Sequence, residues 1–355
     1  MSTLPENSPT SPTAEAPYRP APLREEIPSV LAMATLFIVS LALALAIAPA
    51  YSSQGVQAFE NPEDPWNSVI YLGIVVVFTF IILLIAKLKL KKVIQFIILG
   101  AVFSTIIYVF QPLMNEYLPH VQDVALGGYA WSTYGLIAAA LGLVLVATLY
   151  FYPEWYVVDA VGIVVSAGAA AIFGISFGLF PSLLLLVGFA VYDAIAVYRT
   201  KHMLDLADNV LDLRLPIMFV VPKSRGYSFL HDNKREIRKE AEGKVEKRPR
   251  EAMFMGLGDV VIPGVLVISS FVNLNPATST LDPALLTGAP DVLGFSPWGF
   301  VAACTFVGTL AGYALLMSFV LRGNPQAGLP SLNGGAIIGF LAAVIPLYGI
   351  APLLP

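Results

Sequence analysis

The chain has 355 residues, 57% of them hydrophobic and only 12% charged, where an ordinary soluble domain carries roughly 25% charged residues. A mean hydropathy of +0.76 over 38.1 kDa leaves more apolar surface than a core of that size can bury in water, which excludes a typical soluble enzyme and implies a polytopic membrane protein. The formal net charge of −4 is small and points to no nucleic-acid partner, and the single cysteine, Cys304, cannot form an intramolecular disulfide.

Residues 1–27 are rich in Pro, Ser and Thr and carry Glu6, Glu15, Glu25 and Glu26. They predict a disordered tail, too long and too acidic to start a secretory signal. Nine runs of about 18 or more mostly apolar residues follow, each long enough to cross ~30 Å of hydrocarbon at ~1.5 Å per residue. They predict spans near 28–49, 68–86, 92–111, 131–150, 157–178, 182–199, 253–272, 298–321 and 330–351. The expected fold class is all-α: a bundle of nine transmembrane helices, six within 28–199 and three within 253–355, separated by a charged loop at 200–252.

Lysine and arginine in short loops stay on the cytoplasmic side. Arg19 and Arg24 precede the first span, and Lys87, Lys89, Lys91 and Lys92 separate the second from the third. Thirteen more fall between Arg199 and Arg250, and Arg322 separates the eighth span from the ninth. With nine spans all twenty lie on the side of the N-terminus, while 50–67, 112–130, 273–297 and 352–355 hold none. A cytoplasmic N-terminus and an extracytoplasmic C-terminus follow, since a miscount by one span would scatter the charge over both faces.

The loop has two parts. Residues 232–251 hold eight basic and six acidic side chains, which suits a solvated connector, and the mixed signs argue against a nucleic-acid patch. Leu215 to Pro222 is apolar, rich in strand formers and bounded by prolines. It is too short to cross and too hydrophobic to stay free, so it is expected to dock.

An ionisable side chain inside a span costs at least ~2.5–3.5 kcal/mol on insertion scales, so one that persists points to a function or a partner. Asp193 lies six residues before Arg199 at the end of span six, and Asp259 lies six residues after Met253 at the start of span seven. On helical geometry both carboxylates sit about 9 Å inside the same surface. Spans six and seven are antiparallel neighbours, so the two acids can face each other. Two carboxyl groups that close cannot both ionise and share one proton. One then takes a proton from water as it attacks a carbonyl carbon, while the other protonates the oxygen and later the leaving amine. The same pair would equally serve a proton- or cation-coupled transporter or a leak channel. Gly256 and Gly258 remove bulk beside Asp259, which suits close approach of an extended backbone, although small residues also serve helix packing. Pro263 and Gly264 are expected to loosen the helix one turn on. Pro330 and Asn333 predict a distorted start to the ninth span, buried against protein.

In chain order these residues resemble three motifs of the presenilin and signal peptide peptidase family of intramembrane aspartyl proteases, and the chain looks like a microbial presenilin homologue. The family's Tyr-Asp matches Tyr192-Asp193, its Gly-x-Gly-Asp matches Gly256-Leu257-Gly258-Asp259, and its Pro-Ala-Leu matches Pro330-Ser331-Leu332. Ser331 stands where the family has alanine. The stretch after Asp259 looks more like signal peptide peptidase, whereas the inside N-terminus matches presenilin. The resemblance implies Asp193 and Asp259 as catalytic residues, with Tyr192, Gly256, Leu257, Gly258, Pro330, Ser331 and Leu332 supporting the site or the substrate. It also implies no cofactor or metal, a prokaryotic cell membrane as the setting, and transmembrane proteins of type I or their stubs as substrates. A helical substrate must unwind before water can attack it, and its freed backbone needs partners; Ile217 to Val221 is expected to pair with it as an added strand.

Other chemistries lack their residues. The transporter reading finds no internal repeat to support it. A prepilin peptidase shares Gly-x-Gly-Asp but has fewer spans and no Pro-x-Leu. His120, His202 and His231 fall in predicted loops without His-Glu-x-x-His spacing, and no span holds a histidine to activate a serine. Cys304 reads as a small packing residue, and Glu154 and Asp159, near the end of span five, read as solvated carboxylates. The sequence names no substrate and sets no oligomeric state.

Overall fold

In hydrocarbon a backbone must satisfy its own polar groups, which favours helices wherever the apolar runs lie. The computed structural model describes residues 23–88, 90–119, 121–126, 129–200, 218–223, 226–228, 252–279, 281, 283–286, 288–322 and 326–353. The segment read as a tail lies outside these residues up to position 22, and 23–27 already belong to the first helix. The charged stretch 232–251 and Leu215 to Ile217 also lie outside them.

The long helices are α1 (Leu23–Ser53), α2 (Trp66–Lys87), α3 (Lys91–Tyr117), α4 (Thr133–Phe151), α5 (Trp155–Ser176) and α6 (Leu179–Ile195), then α7 (Gly258–Asn273), α8 (Pro297–Val320) and α9 (Gly328–Tyr348). A wide π-helical turn, Ala196–Thr200, extends α6. Two antiparallel pairs of strands are added to this helical architecture. A small hairpin joins β1 (Val124–Leu126) to β2 (Tyr129–Trp131) before α4, and β3 (Met218–Pro222) pairs with β4 (Ala252–Gly256).

Among the described residues, eight helices are long and apolar enough to cross a membrane, and α7 is a shorter apolar helix of 16 residues. At ~1.5 Å per residue it covers about 24 Å. The expected span 253–272 loses its first turn because Ala252–Gly256 is strand. Glycine costs about 1 kcal/mol against alanine in a helix interior, and Gly256 and Gly258 put two such costs where the helix would have begun.

At the centre stands α5, which buries a row of small residues including Gly162, Ser166, Ala167, Ala170 and Gly174 and packs against α1, α3 and α7. Gly264 belongs to this packing. A Cβ there would lie 2.6 Å from Leu41 Cδ2 of α1 and 3.1 Å from Ala170 of α5. The expected loosening at Pro263-Gly264 is therefore a point of close contact among three helices. On the opposite flank α8 and α9 meet backbone to backbone: Cβ atoms at Gly312, Gly335 and Gly339 would collide with the carbonyls of Ser331, Gly308 and Cys304. The four-residue spacing of both sets makes a continuous seam of the kind small residues allow between membrane helices. Least buried is α2, only 6% of whose apolar window lies inside the protein.

β3 docks against α5, with Phe219 and Val220 fully buried. The described part of the segment expected to dock, Met218–Pro222, does so as a strand, in the register Met218↔Gly256 through Pro222↔Ala252.

Candidate active site

Asp193 sits in the last turn of α6 and Asp259 in the first turn of α7, and these helices pack together. Asp193 is 8% exposed; Asp259 is partly exposed, beside an exposed Gly258. The two carboxylates are within electrostatic reach of one another. What joins them is the start of α9. The Leu329 amide donates to Asp193 Oδ2 at 3.0 Å, and the Gly328 amide also lies against that carboxylate. A Cβ at Gly328 would lie 3.4 Å from both carboxylate oxygens of Asp259. The Gly328–Leu329 dipeptide therefore bonds Asp193 and lies close beside Asp259. A helix N-terminus, with unpaired amides and the positive end of the dipole, favours negative charge at that point.

The equal-depth geometry that paired the acids does not hold for Asp259. Residues 252–256 form a strand, which rises about 3.3 Å per residue and not 1.5 Å. Proximity comes from the convergence of α6, α7 and α9. Gly328 and Leu329 are the contacting residues that motif reading missed, because the signal there is a helix start and not a side chain. Pro330 follows within the first turn, where proline is tolerated. Ser331 packs its carbonyl against Gly312 of α8, and Leu332 is fully buried beside Phe37 and Leu257. Asn333, one turn on, is fully buried and donates to the Leu186 carbonyl of α6 at 2.8 Å, which ties α9 to the helix that carries Asp193.

The remaining expected site residues divide. Leu257 points into the core, where its Cδ2 would lie 3.3 Å from a Cβ at Gly162. A Cβ at Gly258 would meet nothing within 4 Å, so open space adjoins Asp259. Tyr192 is half-buried and lines an apolar cavity of about 280 Å³ between α2 and α6, with Leu72, Val75, Val76, Gly188 and Phe189.

Hydrogen-bond parity defines the sheet beside the acids. The Val220 amide donates to Asp159 Oδ1 at 2.8 Å, away from β4, so Val220 and Phe254 form a pair without ladder bonds. By alternation Met218–Gly256 and Pro222–Ala252 do the same, while Phe219–Met255 and Val221–Met253 carry the ladder. The outer edge of β3 therefore offers no donor at Val220, whose amide Asp159 takes, or at Pro222, which has none. The outer edge of β4, with the main chain of Ala252 and Phe254, is open among the described residues and ends at Gly256, whose amide lies against Asp259. Asp159 and Glu154 are 5% and 7% exposed, which corrects their reading as solvated carboxylates. Burial is offset by partners, the Val220 amide for Asp159 and the Ser228 hydroxyl at 2.7 Å for Glu154.

A family model described as signal-peptide peptidase, presenilin aspartyl protease matches residues 34–348. The chain belongs to that family. Two solved structures of a presenilin-family intramembrane aspartate protease, in space groups C222 and P2, resemble this protease at 31% identity with TM-scores of 0.59 and 0.57. Each match covers 89% of this chain, and 99% and 97% of the other. No curated protein matches. The protease is an intramembrane aspartic endopeptidase and an integral, multi-pass membrane protein whose substrates are transmembrane proteins. Nothing in the comparisons supports the transporter alternative.

Proposed function

We propose that Asp193 and Asp259 are the catalytic pair with which this protease cuts transmembrane segments. The observation that carries the reading is the placement of one dipeptide, Gly328–Leu329, bonded to Asp193 and close beside Asp259. One carboxylate is ionised and the other protonated. Water attacks the scissile carbonyl carbon and gives its proton to the carboxylate, as the carboxylic acid protonates the carbonyl oxygen. The tetrahedral diol then collapses: the C–N bond breaks, the nitrogen leaves with a proton from the first acid, and the second acid regains one. The amides of α9 hold Asp193 in place through the cycle.

An unwound substrate needs hydrogen-bond partners. The parity of the sheet favours the outer edge of β4 over β3 as the strand that supplies them, because that edge runs into Gly256 and Asp259. Open space at Gly258 suits a main chain lying across the acid. Type I polarity of the substrate, a cytoplasmic N-terminus and an extracytoplasmic C-terminus rest on the clustering of all twenty Lys and Arg at one end of nine spans. A prokaryotic cell membrane rests on the resemblance to microbial members. The organisation that goes with this reading is a tail before α1, six spans from α1 to α6, an intervening loop that contributes β3, and three spans from α7 onward.

The test is cleavage of a transmembrane peptide by purified protein. Asp193→Asn and Asp259→Asn are each expected to lower kcat at least about 10³-fold, since the pair acts as a unit, with the thermal transition unchanged. Product formed at wild-type rate by either variant would remove the assignment.

A further inference from the structure

We propose that Asp159 is a positioning residue for proteolysis: by accepting the Val220 amide it holds the β3–β4 sheet against α5 and so sets where the β4 edge presents a substrate to Asp259. This rests on the Asp193–Asp259 assignment and on substrate pairing with β4.

The location of Asp159 demands a reason. It is 5% exposed and flanked by the buried cluster of Val158, Val161, Val220, Tyr227 and Ala252. A carboxylate buried among apolar side chains is costly unless it is hydrogen-bonded. Its partner is a main-chain amide 61 residues away, in a strand that carries no catalytic group. Five paired residues link β3 to β4, and β4 ends three residues before Asp259. The other polar ties of β3 gather at its far end. Ser29 of α1 donates to the Pro222 carbonyl at 3.5 Å, and Lys223 pairs with Glu26 at 2.6 Å. The sheet is thus pinned to α1 at the Pro222 end and to α5 at its middle. Without the middle pin it can pivot about the Pro222 end, which moves the Phe254–Gly256 edge relative to the acids. A paired substrate would then meet Asp259 at more than one bond.

Purified full-length wild type, Asp159→Leu and Asp159→Asn are compared on a transmembrane peptide, reading kcat, KM and product masses. Leucine suits the apolar cluster but leaves the Val220 amide unpaired; asparagine keeps an oxygen acceptor. For Asp159→Leu we expect kcat about tenfold lower, KM within about twofold, and products from at least one additional bond. Asp159→Asn restores the wild-type product masses and a kcat within about twofold. Val220→Pro removes the same hydrogen bond from the donor side, at a position outside the ladder, and is expected to spread the products in the same way. It decides the matter if Asp159→Leu does not fold. Wild-type masses and kcat in Asp159→Leu, or in Val220→Pro in that case, overturn the proposal, as does an asparagine variant that behaves like leucine. A purely structural role would lower the active fraction with product masses unchanged, which also overturns it. Cleavage that survives Asp259→Asn sinks the dyad reading itself, a result distinct from all of these.

Discussion

The two flanks of the site are built on opposite packing rules. Along the α8–α9 seam glycine is opposed to backbone at every fourth residue, leaving no room for a methyl group. Along the α2–α6 boundary a cavity of about 280 Å³ remains, lined by apolar side chains, Gly188 and Tyr192, and α2 is the least buried of the long helices. The difference matters because the seam carries the start of α9 that bonds Asp193 and lies close beside Asp259, whereas the cavity opens beside Tyr192, next to Asp193. Close packing fixes the start of α9, and loose packing leaves apolar space beside α6.

Breaking the seam should have the largest effect. In Gly335→Val the new side chain has only the Gly308 and Gly312 main chain to meet, so the helices must separate. Overpacking of about 1–3 kcal/mol should lower the apparent Tm by several degrees. A displacement of ~1 Å at Gly328–Leu329 should cost about 10²-fold in kcat. Unchanged kcat would show that the acids do not depend on α9. Filling the cavity sharpens the contrast. The neighbour of Gly188 is the flexible end of Leu72, so Gly188→Leu should leave Tm within about 2 °C and raise KM roughly three- to tenfold at constant kcat, the signature of lost uniform binding. A fall in kcat alone would place the cavity off the substrate's path.

The smallest effect lies at the other end of the bundle. Glu63, in the connection between α1 and α2, packs against Gly178, and its Oε1 has no hydrogen-bond partner among the described residues. Burial pushes its carboxyl above the ordinary glutamate range. The folded protein therefore keeps a proton that the unfolded chain has released. Its stability is fully present below the unfolded-state value of ~4.3 and declines as pH rises through the folded one. Glu63→Gln stays neutral and should flatten that decline in a thermal-melt series against pH, with cleavage at neutral pH unaffected. An identical pH slope in both proteins would rule it out.

Much of this was legible in the chain. Hydropathy marked the helices, and observed ends such as Trp66–Lys87 and Pro297–Val320 lie within about three residues of expectation. Tyr192-Asp193, Gly256-Leu257-Gly258-Asp259 and Pro330-Ser331-Leu332 pointed to α6, α7 and α9, three helices that pack together. The misses share a cause. Ala252–Gly256 is apolar enough for a span but is strand because β3, some thirty residues earlier, supplies its ladder. Asp159 looked solvated because its partner is an amide 61 residues on.

Composition and local pattern dictate which segments enter lipid and which acids are too costly to be there without purpose, because those are properties of a residue and its immediate neighbours. Which main-chain groups meet those acids is a matter of folding. A glycine at Gly328 or an amide at Leu329 carries no chemical signature of its own, and acquires one through the helices that bring a carboxylate to it.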